Sequence, residues 1–299
     1  PASGLPRWST FRPGHIAGEE DVPVRPAVAV TRPVAVALES VTFRYPDAAS
    51  PALRGVSLAI PAGAFVAVTG PVGSGKTAIA RAVLGLYPPE AGRVLLDGVS
   101  IDRIPPTHRA ARCGYLPQEA GLFSGTIREN LLMALPGDGP AGDETVRRAV
   151  GCAALEEDLA GFPDGLDTEI GETGIRLSGG QRQRVALARA LAASLPGTPG
   201  LLVLDDPFSA VDVETETLII RRLRDEYGPG APEDRRATIL LLSHRLAAFP
   251  LADLVVVVRA GEVEETGTHD ALLNAGGLYA RIFRAQTRTR LQPPAGGTS

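Results

Sequence analysis

Lysine is nearly absent from this chain. Of 30 basic residues among 299, Lys76 is the one lysine. Arginine serves everywhere else, so position 76 calls for a compact ammonium where a planar guanidinium does not fit. Cysteine is scarce as well. Cys113 and Cys152 are too few for a disulfide framework and point to a reducing compartment. Long apolar runs are missing. The longest, such as Leu254 to Val258, are strand-sized, far short of the ~20 residues of a membrane helix. A net charge of -4 lacks the basic field of a nucleic-acid binder, so no nucleic-acid partner is expected. The opening residues do not pattern as a charged start followed by an apolar signal core. No internal repeat is visible. What is present is ordinary globular composition, 44% hydrophobic, enough for one large domain or two small ones.

Residues 1–34 hold six prolines and no clean period, and read as a linker or arm. Strand alternation follows in V-A-L-E-S-V-T-F-R-Y, L-R-G-V-S-L-A-I and A-F-V-A-V-T, separated by Pro46, Asp47, Pro61 and Gly63. A helix is predicted over 76–86 and strands at 93–96 and 113–116. From about 119 to 195 strand signals vanish and helices are predicted at 126–134, 143–160 and 180–195. Strands return at 201–204, 238–242, 254–258 and 262–265. The first three of these are nearly all apolar, as expected of strands buried on both faces of a parallel sheet. Two closing helices are predicted within 268–287, and 290–299 reads as a loose tail.

Gly70, Pro71, Val72, Gly73, Ser74, Gly75, Lys76 and Thr77 follow a strand and precede a helix. That is the context of a phosphate loop. Its glycines let the backbone wrap phosphates, Lys76 reaches the β- and γ-phosphates, and Thr77 offers a hydroxyl to Mg²⁺. Leu201 to Asp206 reads L-L-V-L-D-D, an apolar strand ending in acid. Asp205 is expected to hold magnesium through its waters. The competing reading makes Asp205 and Asp206 a cap for a helix at 209–226, a cap that Ser209 could supply instead.

Leu177, Ser178, Gly179, Gly180 and Gln181 open a long amphipathic helix. A helix N-terminus behind a glycine hinge favours an anion. One nucleotide rarely needs two phosphate-binding helix ends from one chain. The surplus suggests that this end serves a nucleotide held by another subunit.

With these three motifs in this order, the chain resembles an ABC transporter nucleotide-binding domain over about 36–287. The resemblance implies an α/β fold: a RecA-like P-loop NTPase core with an antiparallel β-subdomain and an inserted all-α helical subdomain at about 119–195. The ATP-binding domain would span 35–287, with 288–299 a flexible tail, and ATP and Mg²⁺ as cofactors. Tyr45, in V-T-F-R-Y-P-D, matches the aromatic that stacks on adenine. Gln118, in Y-L-P-Q-E, matches the glutamine that reaches magnesium and links to the membrane domain. His244, in L-L-S-H-R-L, matches the histidine that contacts the γ-phosphate. Asp212, in S-A-V-D, matches the acid of the loop that crosses to the partner.

L-F-S-G-T-I-R-E-N-L at 122–131 and T-E-I-G-E-T-G at 168–174 resemble exporter-type domains, the latter the loop that meets the membrane domain's coupling helices. Leu122 and Phe123 are then contacts for such a helix, or else are buried within the helical subdomain; the sequence leaves both open. In such exporters the membrane domain usually precedes this one in the same polypeptide, which places the domain at the cytoplasmic face of the cell membrane. The start at Pro1 and the proline-rich 1–34 segment fit a piece of such a chain. A stand-alone importer ATPase is the alternative, with P-F-S-A at 207–210 in its favour, as is a nucleotide-gated dimerisation module with little turnover. A soluble ATPase acting on DNA or ribosomes would call for coiled-coil arms, a second cassette or a basic surface.

One residue departs from the pattern. Family members that hydrolyse ATP well carry Glu after the magnesium Asp, and this chain has Asp206. Asp is one methylene shorter, about 1.5 Å, and a general base must reach the attacking water. Asp here resembles the degenerate half of a heterodimeric exporter. Its own site, with the phosphate loop, Asp206 and His244, would hydrolyse weakly, while its intact signature would complete the site of a second half-transporter; the competing reading is that Asp206 suffices as the base and the chain pairs with itself.

Overall fold

The computed structural model describes residues 33–133, 140–171, 174–192, 200–233 and 235–291. The expected arm at 1–34 lies outside these except for its last two residues, as do Glu172 and Thr173 of the 168–174 stretch and the tail beyond 291.

Two sheets share the chain. The first is antiparallel, with strands β1 (Val36–Phe43), β2 (Leu53–Ile60), β4 (Ala91–Leu96) and β5 (Val99–Ser100) in the order β2-β1-β4-β5. Its strands alternate as half-buried strands should: β2 is buried at Leu53, Val56, Leu58 and Ile60 and open between them. The second sheet holds β3 (Phe65–Thr69), β6 (Cys113–Leu116), β9 (Leu201–Asp205), β10 (Thr238–Leu242), β11 (Leu254–Arg259) and β12 (Glu262–Gly267), in the order β12-β11-β3-β10-β9-β6. Strands β11, β3, β10, β9 and β6 run parallel, and β12 closes the edge antiparallel. Strands β3, β9 and β10 are buried at every residue, because helices cover one face and the first helix together with the antiparallel sheet covers the other.

Helix α1 (Lys76–Val83) leaves β3 through the glycine loop. Helix α2 (Pro106–Arg112) leads into β6. The 119–195 region carries α3 (Ile127–Leu132), α4 (Pro140–Cys152), α5 (Glu156–Gly161) and α6 (Gly179–Ala192). Helices α7 (Val213–Tyr227), α8 (His269–Ala275) and α9 (Leu278–Leu291) complete the fold. This is the α/β architecture expected from the motifs: a parallel core, an antiparallel β-subdomain and an inserted helical region.

Several local expectations need correcting. The single helix predicted at 143–160 is two, because Ala154 takes φ +52° and turns the chain. The region expected to lack strands contains a two-residue pair, β7 (Gly125–Thr126) with β8 (Glu169–Ile170). Helix α2 and strand β5 are too short to leave a periodic signal. Helix α7 begins at Val213, not 209. Its cap is neither Asp205, Asp206 nor Ser209: the Asp212 carboxylate accepts from the Thr215 amide at 2.8 Å. Helix α9 continues to Leu291, through the first residues of the expected tail.

Candidate functional site

The loop after β3 owes its shape to glycine. Gly75 takes φ +109°, and a Cβ there would stand 2.7 Å from the Ala52 carbonyl oxygen. Any other residue would push the loop off the β-subdomain. The loop wraps its own cation: Lys76 Nζ donates to the carbonyls of Gly70 at 2.8 Å and Pro71 at 3.0 Å. Burial pulls its pKa below the ordinary lysine value, and Asp206 and Asp205 oppose that. An ammonium held by two carbonyls is a cation stored where anionic phosphate oxygens can replace them.

Around this loop lies a cleft of about 310 Å³. Tyr45, Val72, Gly73, Ser74, Gly75, Lys76, Thr77, Gln118, Asp205, Asp206 and His244 all line it, together with Ala52, Ala78 and Leu242. Residues from five separate stretches thus converge at the C-terminal ends of parallel strands, where open α/β sheets bind ligands. Gly70 and Pro71 shape the loop without lining the cleft. Val72 is 97% exposed at its rim.

Three buried polar atoms in the cleft have no hydrogen-bond partner: Ser74 Oγ, Asp205 Oδ2 and Asp206 Oδ1. Buried polar atoms are normally satisfied, and these three, unpartnered among the described residues, all belong to residues that line one cleft, which marks a place for polar ligands. Thr77 lies beside the Asp205 carboxylate and lines the same cleft. Burial raises the Asp205 pKa; Thr77 opposes it and the neighbouring Asp206 adds to it. Among the described residues no group of three or more His, Cys, Asp or Glu gathers as a metal cage. One or two carboxylates beside a hydroxyl suit Mg²⁺, which takes the rest of its shell from phosphates and water.

Asp206 sits at φ +51°, a left-handed backbone that Asp tolerates better than most residues. Its N–H donates to the Leu242 carbonyl at 2.8 Å, locking β9's end to β10's. Gln183, on α6, donates to the Asp206 carbonyl at 3.3 Å. His244 Nδ1 lies 3.1 Å from Asp206 Oδ1, close enough to pair when protonated but not aligned as a hydrogen bond.

The 177–181 segment does not line this cleft. Leu177 is buried and anchors it. Ser178 and Gln181 form a reciprocal cap: the Gln181 amide donates to Ser178 Oγ at 3.2 Å, and the Ser178 amide to Gln181 Oε1 at 2.9 Å. The backbone amides of Gly179 and Gly180 have no partner among the described residues. A Cβ on Gly180 would stand 2.9 Å from the Ala210 carbonyl oxygen, so this helix end packs on the loop that carries Asp212.

Sequence reasoning overlooked four residues that the structure brings to these segments. Arg81, one turn beyond the phosphate loop, places its guanidinium 5.0 Å from the Tyr45 ring centroid, and its charge acts on both Tyr45 and Tyr115. Its spacing from Lys76 on α1 was a usable signal. Gln183, Arg245 and Gln286 act through contacts between distant segments, for which a single sequence has no signal.

A second groove, about 340 Å³, is lined by Ala120, Leu122, Phe123, Ile170, Ile175 and Leu177 among others. It divides the open question about Leu122 and Phe123. Leu122 packs against the core, whereas Phe123 is 56% exposed with Arg189 over its ring.

The ABC transporter family model matches residues 53–209. The chain is 40% identical over 271 residues to a probable multidrug resistance ABC transporter ATP-binding/permease protein of Bacillus subtilis, covering 90% of this chain and 44% of that protein. It is 38% identical to a mycobactin import ATP-binding/permease protein of Mycobacterium tuberculosis, over 84% of this chain and 41% of that one. The solved structure of a bacterial Atm1-family ABC exporter with ATP bound matches 89% of this chain and 44% of its own at 37% identity, with a TM-score of 0.75. The chain thus spans less than half the length of the relatives it matches. No helix among the described residues is long and apolar enough to cross a membrane.

Proposed function

The chain belongs to the ABC transporter family, and from that premise we propose that it binds and hydrolyses ATP to drive an exporter, working with a transmembrane domain and a second ABC half-transporter. The carrying observation is the cleft in which Tyr45, the 72–77 loop, Gln118, Asp205, Asp206 and His244 meet, three of whose lining residues hold a buried polar atom unpartnered among the described residues. Tyr45 stacks on adenine. The loop amides wrap the phosphates, and Lys76 exchanges its two carbonyls for phosphate oxygens. His244 meets the γ-phosphate. Thr77, Gln118 and Asp205 are the residues for Mg²⁺, Asp205 through water; when bound, the cation neutralises charge on the phosphate oxygens. Asp206 draws a proton from the attacking water. It does so from about 1.5 Å farther back than a glutamate, which makes this a weakly hydrolytic site.

The signature residues Leu177, Ser178, Gly179, Gly180 and Gln181 act on the partner's ATP, beside the Asp212 loop. Their separation from this chain's own cleft and the two unpartnered glycine amides support that assignment. The apolar groove at Phe123 and Ile175 receives a coupling helix of the transmembrane domain, at the cytoplasmic face of the membrane. One relative is named for mycobactin import and one solved neighbour is titled an exporter, so the outward reading rests on the 122–131 and 168–174 stretches. Cargo is a property of the membrane domain.

The test is Mg²⁺-dependent ATP binding and phosphate release by the wild type beside Lys76→Ala. Loss of both in the variant is the expected result. Undiminished ATP binding by Lys76→Ala would sink the reading. Binding and ATP-dependent dimerisation without phosphate release, in the wild type and with its partner, would select the dimerisation module instead.

A further inference from the structure

Strand β10 delivers His244 to the cleft and then stops. The Ser243 amide still donates to the Val68 carbonyl, at 3.0 Å. Beyond it, residues 244–246 have left the sheet, and His244 projects with 54% of its side chain exposed. A segment released from its ladder needs other partners to hold one geometry.

The Arg245 amide donates to Ser243 Oγ at 3.0 Å, and two side chains add contacts from opposite sides. Arg245 turns inward, donating to the Val211 carbonyl at 2.6 Å and to the buried Glu216 carboxylate at 3.0 Å. Gln286 closes the outer side. Its Nε2 donates to the His244 carbonyl at 2.6 Å, and its Oε1 accepts from the Leu246 amide at 3.1 Å. One side-chain amide, from a helix 42 residues downstream, thus grips the two backbone groups that bracket Arg245. Fixing the His244 carbonyl fixes the peptide plane that follows His244, and with it the platform from which the imidazole projects.

Helix α9 does not need this grip in order to dock. Tyr279 and Ala280 are buried, and Leu278, Ile282 and Phe283 pack against the core. Glu265 accepts from the Leu278 and Tyr279 amides at the start of the helix. The helix is seated by its first half, and Gln286 lies beyond that seat.

We propose that Gln286 is a positioning residue for His244, which makes the C-terminal helix α9 part of the ATP site's machinery. The proposal rests on the reading of His244 as the γ-phosphate contact. It sets the geometry of the transition state and leaves the loop and Tyr45, which bind nucleotide, untouched.

The experiment is steady-state ATP hydrolysis by the full chain and by Gln286→Ala, Gln286→Glu, His244→Ala and the double variant His244→Ala with Gln286→Ala. Gln286→Ala is expected to lower kcat by about tenfold, the scale of a sub-ångström to ångström misplacement, with KM for ATP within about twofold. Gln286→Glu keeps the size of the side chain but has no N–H for the His244 carbonyl. It should lose as much as alanine, whereas a packing role would tolerate it. In the His244→Ala background, Gln286→Ala should add no further loss. Wild-type kcat in Gln286→Ala beside a damaged His244→Ala would overturn the clamp alone, as would an equal further loss in the double variant. Wild-type turnover in His244→Ala would instead overturn the γ-phosphate reading on which the clamp depends.

Discussion

His244 Nδ1 stands 3.1 Å from Asp206 Oδ1, each residue just past the end of one of two adjacent parallel strands. The Asp206 amide bonds the Leu242 carbonyl across the same strand ends. The acid's backbone therefore cannot move independently of the sheet, whereas His244 stands beyond the last ladder bond. What the acid lacks is length: its backbone is fixed by β9 and β10, so a missing methylene is not recovered by a shift of the chain.

Asp206→Glu should raise ATP turnover by tenfold or more, since displacements of this size cost up to ~100-fold. The gain comes with a small loss of stability, because the φ +51° backbone suits Asp better than Glu. Phosphate release by the two proteins under saturating ATP is the measurement. Equal, brisk turnover would show that aspartate suffices as the base.

Ser178→Ala removes half of the cap on α6 and should cost about 1 kcal/mol of stability, read in a denaturant midpoint. In the assembled pair of half-transporters it should also cost more ATPase activity than Asp206→Asn. The opposite ranking would mean that the two composite sites have been assigned the wrong way round.

Asp205 carries a pH signature. Burial raises its folded pKa above the unfolded value, so its ionised form weakens the ligand-free fold. The penalty is absent below the unfolded pKa and grows to its full size as pH rises through the folded value. At neutral pH and without nucleotide or Mg²⁺, Asp205→Asn should therefore melt a few degrees higher than wild type. That gap should close as pH falls toward the ordinary carboxylate range. Thermal melts across pH test this, and a lower melting temperature for Asp205→Asn at neutral pH would refute it.

Arg245→Ala takes the guanidinium from the fully buried Glu216 carboxylate and from the Val211 carbonyl. Losing a hydrogen bond to a charged group costs about 2 kcal/mol. Urea unfolding should show the loss as a lower midpoint with an unchanged slope. An unmoved midpoint would mean that Glu216 is satisfied without Arg245.

The sequence by itself determined the parts whose chemistry is local. A phosphate loop is a run of glycines around one ammonium, so Gly70 to Thr77 and the lone Lys76 announce it. A buried parallel strand is a short apolar run, so β3, β9, β10 and β11 were legible, as was the acid that ends β9. The start of α6 at S-G-G-Q is likewise a pattern within four residues. Short or turn-dependent elements were not legible. Ala154 at φ +52° splits a helix that its periodicity would have continued. Asp212, and not the acids at 205–206, caps α7, because those acids are held by the strand end. Only the tertiary structure decided which distant residues meet: Arg81 on Tyr45, Gln183 on the Asp206 carbonyl, Arg245 between Val211 and Glu216, and Gln286 on both sides of Arg245. Local patterns encode backbone conformation within a turn or two. Side-chain hydrogen bonds across 23 to 42 residues form only once the sheet order and helix packing have set the distances.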